Sequence, residues 1–375
     1  MITRRELGKL AFGASAAALL PGRPLLASML QARPNSLIAG VQIGTITYSF
    51  RSMPDQTAEG ILRYTTEAGI SAVELMGDPI TDYARKRTGF QPPETGGRGG
   101  GGGRGGRGGR GGEPPALSAS WNGTPCAPGE PGSDPDYDTA PAGRGGGPGG
   151  RGQQSAEQVA AAEAERKWRL SLSMDIFGDL RRMYNDAGVT IYAVKDVHQE
   201  TDEDLEYTFS VAEALGASHI TLELPSGPNG RNQLKRLGDW AMKKKIYAAY
   251  HTHAQGSMTA FDEAFAISPG NMANVDLGHF VAGGNRGGTP MDFLQKYHAR
   301  TSSFHLKDRT TPANCALNLP WGTGETPIRE ILQLVRDNKW NIPASVELEY
   351  AIPEGSDAVA EVRKCVDYCR EALTS

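Results

Sequence analysis

Short apolar, β-branched stretches alternate with amphipathic segments of helical period along most of this chain. The stretches that resemble strands are Val41–Phe50, Ser71–Met76, Thr190–Val197, His219–Leu224, Ile246–Tyr250, Asn274–Leu277, Ser302–Leu306 and Ala344–Leu348. The segments that resemble helices are Thr57–Ala68, Val159–Asp186, Asp202–Leu215, Gln233–Lys244, Ala260–Ile267, Met291–His298, Pro327–Asn338 and Asp357–Ala372. Strands that alternate with helices build parallel sheets, so the pattern predicts a closed (β/α)8 TIM barrel. The alternative, an open doubly wound sheet, lacks support because no GxGxxG motif follows the first strand.

Two segments depart from this pattern. Residues 1–32 contain Arg4 and Arg5 before an apolar run of small residues, which is typical of a twin-arginine export signal. That run is too short to form a stable membrane anchor. Residues 91–152 consist mainly of Gly, Arg and Pro, and such a segment cannot bury enough apolar surface to offset its ordering entropy. We therefore expect an exported, periplasmic protein whose barrel spans residues 33–375, with a disordered insertion after the second strand.

Composition restricts the partners. The formal net charge is −4 and the isoelectric point is near 6.0, so the whole chain carries no basic excess for nucleic acid. The core of the Arg-Gly-Gly repeats in the insertion contains no Phe or Tyr that could stack on bases. We expect no nucleic-acid partner, while a homo-oligomer is compatible with the sequence. The cysteines form no CxxC pair and are expected to be reduced; they are Cys126, Cys315, Cys365 and Cys369.

Polar residues that bind metals or transfer protons follow each of the later predicted strands. In chain order they are Glu223, His251, His253, Asp276, His279, His305, Lys307, Asp308, Glu347 and Glu349. Because the carboxyl ends of all barrel strands open onto one face, these side chains are expected to surround one site. Charged groups that converge in an interior must be paired or bound to a metal. The pattern therefore predicts a divalent-metal site at this face.

Four ordered motifs resemble those of the xylose isomerase-like TIM barrels, which include sugar isomerases and epimerases, inosose dehydratase and endonuclease IV. The motifs are Val-Asp276-Leu-Gly-His279-Phe-Val-Ala-Gly, Phe-His305-Leu-Lys-Asp308, Trp321-Gly-Thr-Gly-Glu325 and Val-Glu347-Leu-Glu349. The resemblance runs from about Val41 to Leu373, apart from the insertion. It implies that the metal ligands include Asp276, His305 and one strand-end glutamate. The family pattern favours Glu347 for this role, with Glu349, which should face the same side, as the alternative. It also implies that His279 contacts substrate or water and that Lys307 and Asp308 line the mouth of the barrel.

One position departs from the family pattern. The sugar epimerases place a glutamate at the end of the fifth strand, where it forms an acid/base pair with the glutamate of the eighth. Here the matching residue is His251, and an imidazole can bind a metal or act as a base because its pKa lies near neutrality. Glu223 on the fourth strand is a candidate for the missing carboxylate. The candidate ligands are therefore Glu223, His251, Asp276, His305 and Glu347, with Mn, Mg, Co or Zn as the metal.

The resemblance implies a metal-dependent sugar isomerase or epimerase that abstracts a proton next to a metal-polarised carbonyl. The candidate catalytic residues are Glu223, His251, Glu347 and Lys307. The candidate substrate-binding residues are His253, His279, Asp308, Trp321 and Glu349. The alternatives are a lyase or dehydratase that acts on keto-sugars or 3-keto-glycosides, and a non-catalytic carbohydrate-binding barrel. Export and the lack of a P-loop favour a carbohydrate substrate without phosphate.

Overall fold

The computed structural model describes residues 33–93 and 155–375, together with the backbone of two short strands, Ser120–Trp121 and Thr124–Pro125, which pair antiparallel. The predicted leader at 1–32 and nearly all of the predicted insertion at 91–152 lie outside these residues. Within the described part of the chain, no helix combines the length and the apolar character needed to cross a membrane.

Eight parallel strands form a closed barrel, which confirms the predicted (β/α)8 fold. They are β1 (Val41–Ile46), β2 (Ala72–Met76), β3 (Thr190–Lys195), β4 (His219–Glu223), β5 (Tyr247–His251), β6 (Asn271–Asp276), β7 (Thr301–Leu306) and β8 (Ala344–Val346). Each strand pairs in parallel with the next, and β8 pairs in parallel with β1, which closes the sheet. The carboxyl ends of all these strands therefore meet at one face.

Helices surround the barrel. They are α1 (Ala58–Glu67), α2 (Gly77–Thr88), α3 (Ala156–Leu170), α4 (Asp175–Asp186), α5 (Asp202–Leu215), α6 (Gly230–Lys244), α7 (Asp262–Ile267), α8 (Leu277–Ala282), α9 (Pro290–Tyr297), α10 (Ile328–Asn338) and α11 (Ala358–Thr374). Several begin at a side chain that accepts a backbone N–H of the first turn: Thr57, Thr201, Thr289 and Asp357. Their apolar faces pack in the main core, which Phe177, Phe209 and Ile331 exemplify.

The structure differs from the predicted elements in four main places. The predicted first strand, Val41–Phe50, is a strand only as far as Ile46, and Thr47–Phe50 form a 3-10 helix. The predicted helix Val159–Asp186 is two helices, α3 and α4, because the Ser171 hydroxyl donates to the Trp168 carbonyl at the end of α3 and the Ser173 hydroxyl accepts the N–H of Asp175 at the start of α4. The sequence analysis does not predict α2, whose charged segment buries only a narrow stripe. It also does not predict α8, a short helix that is buried on every side and has no amphipathic pattern.

The cysteine prediction is confirmed in part. Cys365 and Cys369 are free and buried in α11. Cys315 is disulfide-bonded, so the prediction that it is reduced is wrong. The spacing rules that suggested reduced thiols cannot detect a bond between distant segments, because proximity in the fold, not in sequence, decides pairing.

The interior of the barrel contains a buried histidine below the strand ends. His219 on β4 is fully buried, and its two ring nitrogens bind the hydroxyl groups of Ser218 and Ser303, each at 2.8 Å. Burial lowers the pKa of His219 from 6.5 to about 4, although the carboxylate of Glu74 opposes this shift. The neutral imidazole is therefore the folded form at ordinary pH.

We predict that this histidine makes stability depend on pH. The unfolded chain binds a proton at His219 below about pH 6.5 and the folded chain does so only below about pH 4, so its contribution to stability is complete above 6.5 and is lost as pH falls towards 4. Between pH 7 and 4.5 the wild type should lose about 2–3 kcal/mol more unfolding free energy than His219→Gln. Urea unfolding at both pH values measures this difference, and equal losses would contradict the prediction.

Candidate active site

Four buried side chains meet at the carboxyl face of the barrel: His251 from β5, Asp276 from β6, His305 from β7 and Glu347 just after β8. One ligand-type atom from each lies within 4.8 Å of all the others. Ligand atoms around a divalent cation, at about 2.1 Å from it, lie about 3–4 Å apart, so this spacing is near what such a cation requires. Parallel pairing of the four strands produces the cluster, since His305 is in register with Asp276 and Asn274 with His251.

His305 lies between two buried carboxylates. Its Nδ1 donates to Glu347 Oε2 at 2.9 Å and its Nε2 donates to Glu74 Oε2 at 2.8 Å. Burial alone would lower the pKa of His305, but the two carboxylates outweigh burial and raise it to about 10. Loss of the Nδ1 proton would leave a ligand nitrogen beside Glu347, while Glu74 continues to hold Nε2–H.

The tautomer of His251 follows from its neighbour Asn274. The Asn274 side-chain amide donates to Ser303 Oγ at 2.7 Å and points towards Glu74 Oε2 at 3.4 Å, so its carbonyl oxygen faces His251. His251 Nδ1 therefore donates to Asn274 Oδ1 at 3.1 Å. Burial holds the pKa of His251 well below its usual value, so the ring is neutral and Nε2 keeps a lone pair. This nitrogen is a ready metal ligand.

The two carboxylate oxygens of Asp276 have different roles: one caps a helix and the other faces the cluster. Oδ1 accepts the backbone N–H of His279 at 2.7 Å and so caps α8. Oδ2 is buried and accepts no hydrogen bond from the described residues, although it lies 3.1 Å from Lys307 Nζ. The Lys307 ammonium offsets the charge of this buried oxygen, and lone pairs of Oδ2 remain available to a second cation. The four side chains thus fit a divalent cation through two imidazoles and two carboxylates.

Lys307 places an ammonium group beside this cluster. Its Nζ lies 3.0 Å from Glu347 Oε2 and also donates to Glu349 Oε2. Burial opposes the charged form, but the surrounding carboxylates outweigh burial and raise the pKa of Lys307. The same ammonium helps to lower the pKa of Glu347 and of Glu349, against the effect of burial. Lys307 is therefore a charged donor at the site.

His279 lies on α8 and contacts two cationic side chains. Its Nε2 is 2.8 Å from Lys307 Nζ, and its Nδ1 is 2.6 Å from Arg309 Nη1. Arg309 is fully buried and follows Lys307 and Asp308 in the segment after β7. Arg309 carries no signal in the sequence that would mark it as a site residue, because an arginine outside a known motif is usually exposed.

A second group of side chains lies at the rim. Glu223 is about half exposed, pairs with Lys195 Nζ at 3.2 Å and lies 3.7 Å from His253 Nδ1. His253 is partly buried, its ring 5.0 Å from that of His251 and 4.9 Å from that of His279. Burial lowers the pKa of His253 despite the nearby Glu223. The structure thus brings Glu223 to the site but outside the four-residue cluster, and its role as a ligand stays a prediction.

Asp308 and Trp321 belong to the loop that follows β7. The carboxylate of Asp308 accepts the backbone N–H groups of Gly322, Thr323, Gly324 and Thr326 at 2.8–3.2 Å. A side chain at Gly324 would place its Cβ 2.3 Å from Asp308 Oδ1, so only glycine allows this approach. Trp321 packs edge-on against Tyr368. Asp308 lies beneath the loop and shapes it, and its predicted contact with substrate stays a prediction.

The sequence analysis does not identify Glu74, the buried carboxylate on β2 that holds His305 Nε2. It is surrounded by apolar neighbours in strand sequence, and its only signal is a charge inside a predicted buried strand. Thr221 Oγ1 donates to its other oxygen at 2.6 Å. Glu74 is therefore fixed on both oxygens before any ligand enters.

We predict that Glu74→Gln weakens divalent-cation binding by about 10- to 100-fold, because it removes the carboxylate that orients His305 and increases its basicity. Competition with a chelating dye measures the affinity. Asp204→Asn is a matched control, since Asp204 is equally buried but pairs with Arg166 and Arg169 on the outer helices. Equal affinity of the Glu74 variant and the wild type would contradict this role.

Comparisons with known proteins bear on the fold. No protein-family model and no curated protein matches the sequence. Similar solved structures include a sugar phosphate isomerase/epimerase from Parabacteroides distasonis, a probable 3-DHS dehydratase involved in petrobactin synthesis from Bacillus anthracis, and a xylose isomerase domain protein from Alicyclobacillus acidocaldarius. In that order, sequence identities are 17%, 14% and 11%, and TM-scores are 0.50, 0.51 and 0.51. The matches cover 91%, 87% and 89% of this chain and 98%, 98% and 100% of the other chains. The chain therefore has the fold of the xylose isomerase-like TIM barrels, which confirms the resemblance inferred from its motifs.

Proposed function

We propose that this protein is a divalent-metal-dependent enzyme of the sugar isomerase/epimerase type, which removes a proton from the carbon next to a substrate carbonyl. The observation that carries the proposal is the buried set of His251, Asp276, His305 and Glu347 beside the charged Lys307. Two imidazoles and two carboxylates suit Mn, Co or Zn better than Mg, which prefers oxygen ligands alone. Bound there, the cation would polarise the carbonyl oxygen and acidify the adjacent C–H bond.

His253 is the base that the geometry supports best. It is neutral near pH 7 because burial lowers its pKa, and so it has a lone pair to accept the carbon proton. Glu223, at 3.7 Å, would orient the ring and stabilise the imidazolium that forms. In isomerisation or epimerisation, the proton returns to a carbon of the same skeleton. His251 and Glu347 act as ligands in this scheme, and Lys307 donates to an oxygen of the substrate.

Elimination is a second candidate, and one observation favours it. The acid/base groups near the cluster are unlike each other, a neutral imidazole at His253 and an ammonium at Lys307, whereas a two-carboxylate pair is missing because His251 stands on β5. Such a pair suits removal of a proton by His253, stabilisation of the leaving oxygen by a hydrogen bond from Lys307, and transfer of the proton from the His253 imidazolium to that oxygen. The products would be an unsaturated keto-sugar and water or a released alcohol.

Charge balance favours an uncharged carbohydrate as the substrate. The carboxylates described above at this face are Glu74, Glu223, Asp276, Asp308, Glu347 and Glu349, and the cations described with them are Lys195, Lys307 and Arg309. With neutral histidines and one divalent cation, this set would still carry one negative charge. A sugar phosphate would add two negative charges without cations to match them.

We also propose that the protein is exported. The twin-arginine pattern at Arg4 and Arg5 supports this, and so does the disulfide bond at Cys315, because structural disulfides persist in oxidising compartments. Fractionation of the producing cells, with alkylation of free thiols before and after reduction, measures both points. A cytoplasmic protein with a reduced Cys315 would contradict the proposal.

Mass spectrometry in deuterated water tests the activity. The metal-loaded protein is incubated with free sugars, keto-sugars and 3-keto-glycosides, alongside a His305→Ala variant. Deuterium at a carbon of an otherwise unchanged skeleton, absent with the variant, supports isomerase or epimerase chemistry. An unsaturated product with release of water or alcohol, again absent with the variant, supports elimination. Carbohydrate binding without exchange or turnover, with every metal tried, would favour the non-catalytic barrel and contradict the proposal.

A further inference from the structure

His279 makes an unusual pair of contacts, because both of its ring nitrogens face cationic donors. Arg309 Nη1 lies 2.6 Å from Nδ1, and Lys307 Nζ lies 2.8 Å from Nε2. A guanidinium and an ammonium can only donate, and a neutral imidazole has only one nitrogen that accepts. At one of the two ring nitrogens, an N–H of His279 must therefore face another donor. The surroundings of the two cations indicate which of them donates to the single lone pair of the ring.

Arg309 is the cation with the fixed position. Its backbone N–H donates to Thr326 Oγ1 at 3.0 Å, and its backbone carbonyl accepts the Glu325 N–H at 2.9 Å. Its segment, Asp308–Arg309, pairs antiparallel with Asn318–Leu319, and its Nη2 donates to the Ala316 carbonyl. These contacts fix the Arg309 backbone, and the Nη2 bond together with full burial restrains the planar guanidinium, so turning it away from Nδ1 would break the bond to Ala316.

Lys307, in contrast, does not need His279 as a hydrogen-bond acceptor. Its ammonium already has carboxylate acceptors in Glu347 and Glu349, at the end of a flexible stem. It can turn its N–H groups towards these carboxylates and leave Nε2 of His279 with a proton. The conflict is thus resolved with the lone pair at Nδ1 and the proton at Nε2.

We propose that Arg309 is a positioning residue that holds His279 in the Nε2–H tautomer, so that His279 and Lys307 form a two-donor site for a substrate oxygen that becomes negatively charged during the reaction. The role as an oxygen-binding pair rests on the proposed function, whereas the tautomer does not. Donors that are set in place before charge develops stabilise the transition state more than the bound substrate.

Nitrogen-15 NMR of the imidazole rings tests the tautomer directly in the metal-free protein. The wild type should show a lone pair on Nδ1 and a proton on Nε2 of His279, assigned by loss of its signals in His279→Gln. Arg309→Met should shift the proton to Nδ1. The donor at Nδ1 is then lost, and Lys307 can donate to a lone pair on Nε2. Arg309→Lys should keep the wild-type tautomer, and Arg329→Met, which removes an arginine on α10, should change nothing.

Kinetics test the consequence. Once a substrate is known, Arg309→Met with full metal content should lower kcat by about 100-fold with little change in KM, because the lost donor acts on developing charge. Arg309→Lys should recover most of this loss. An Nδ1–H tautomer or an imidazolium in the wild type would overturn the proposal, as would an unchanged tautomer in Arg309→Met. If Arg309→Met does not fold, the wild-type and Arg309→Lys spectra still decide the tautomer. A protein without sugar turnover would refute the proposed function but leave the tautomer result intact.

Discussion

His305→Ala is expected to destabilise the protein by about 3–5 kcal/mol without divalent cations and to abolish metal-dependent turnover. The imidazolium of His305 lies between Glu74 and Glu347, which are both buried, so its removal leaves Glu74 without this ion pair and Glu347 with Lys307 alone. Turnover should fail because the same substitution removes one of the four proposed ligand side chains. Urea unfolding in the presence of a chelator measures stability, and elemental analysis after dialysis against metal measures binding.

The double variant Glu74→Gln/His305→Ala separates charge from packing. If buried charge causes the loss, replacing Glu74 with a neutral amide should return roughly 1–3 kcal/mol to the His305→Ala protein. The same Glu74→Gln change in the wild type should cost stability, because it replaces a charged acceptor of the imidazolium N–H with a neutral amide oxygen. A His305→Ala protein that is as stable as the wild type, or that keeps its metal, would contradict the account of this site.

Local patterns predict the barrel well because each strand is a short apolar stretch with turn residues at both ends. The helix Asp202–Leu215 has the same bounds in the prediction and in the structure, since Thr201 caps its start and Gly216 ends it in the left-handed region. Elements without such signals are not predicted. The helix α8 is an example, because all of its side chains are buried and the hydrophobic pattern has no period.

The site is predictable only as far as strand ends reveal it. Asp276, His305 and Glu347 occur directly at the ends of their strands, so the topology alone brings them together. Glu74 and Arg309 escape detection because their roles depend on partners more than 25 residues away, such as His305 for Glu74 and His279 for Arg309. Asp308 is the opposite case, a residue that the strand-end pattern suggests as a substrate contact but whose carboxylate has another role in the structure. It follows a strand end as the other site residues do, yet its carboxylate binds the loop backbone, which no local pattern reveals.

Lys307→Met is expected to produce the second large effect, a loss of about 3–5 kcal/mol in the metal-free protein that added divalent cations largely reverse. The Lys307 ammonium lies among Asp276, Glu347 and Glu349, and an apolar side chain of similar length leaves these buried carboxylates to repel one another. A divalent cation on Asp276 and Glu347 would supply the missing positive charge. Metal should therefore raise the melting temperature of the variant more than that of the wild type.

The pattern across matched variants distinguishes this mechanism from a simple packing defect. Lys307→Arg keeps the charge and should retain most of the stability, while Lys235→Met removes an exposed lysine that pairs with Asp239 and should cost less than about 1 kcal/mol. Thermal melts with a chelator measure the stability of the metal-free variants, and melts at a series of Mn concentrations measure the stabilisation by metal. A Lys307→Met protein whose melting temperature rises with metal only as much as that of the wild type would show that the ammonium and the cation do not compensate the same carboxylates. Recovery by metal without recovery of turnover, in contrast, is the expected result, because the cation replaces the charge of Lys307 but not the hydrogen bond that Lys307 would donate to a substrate oxygen.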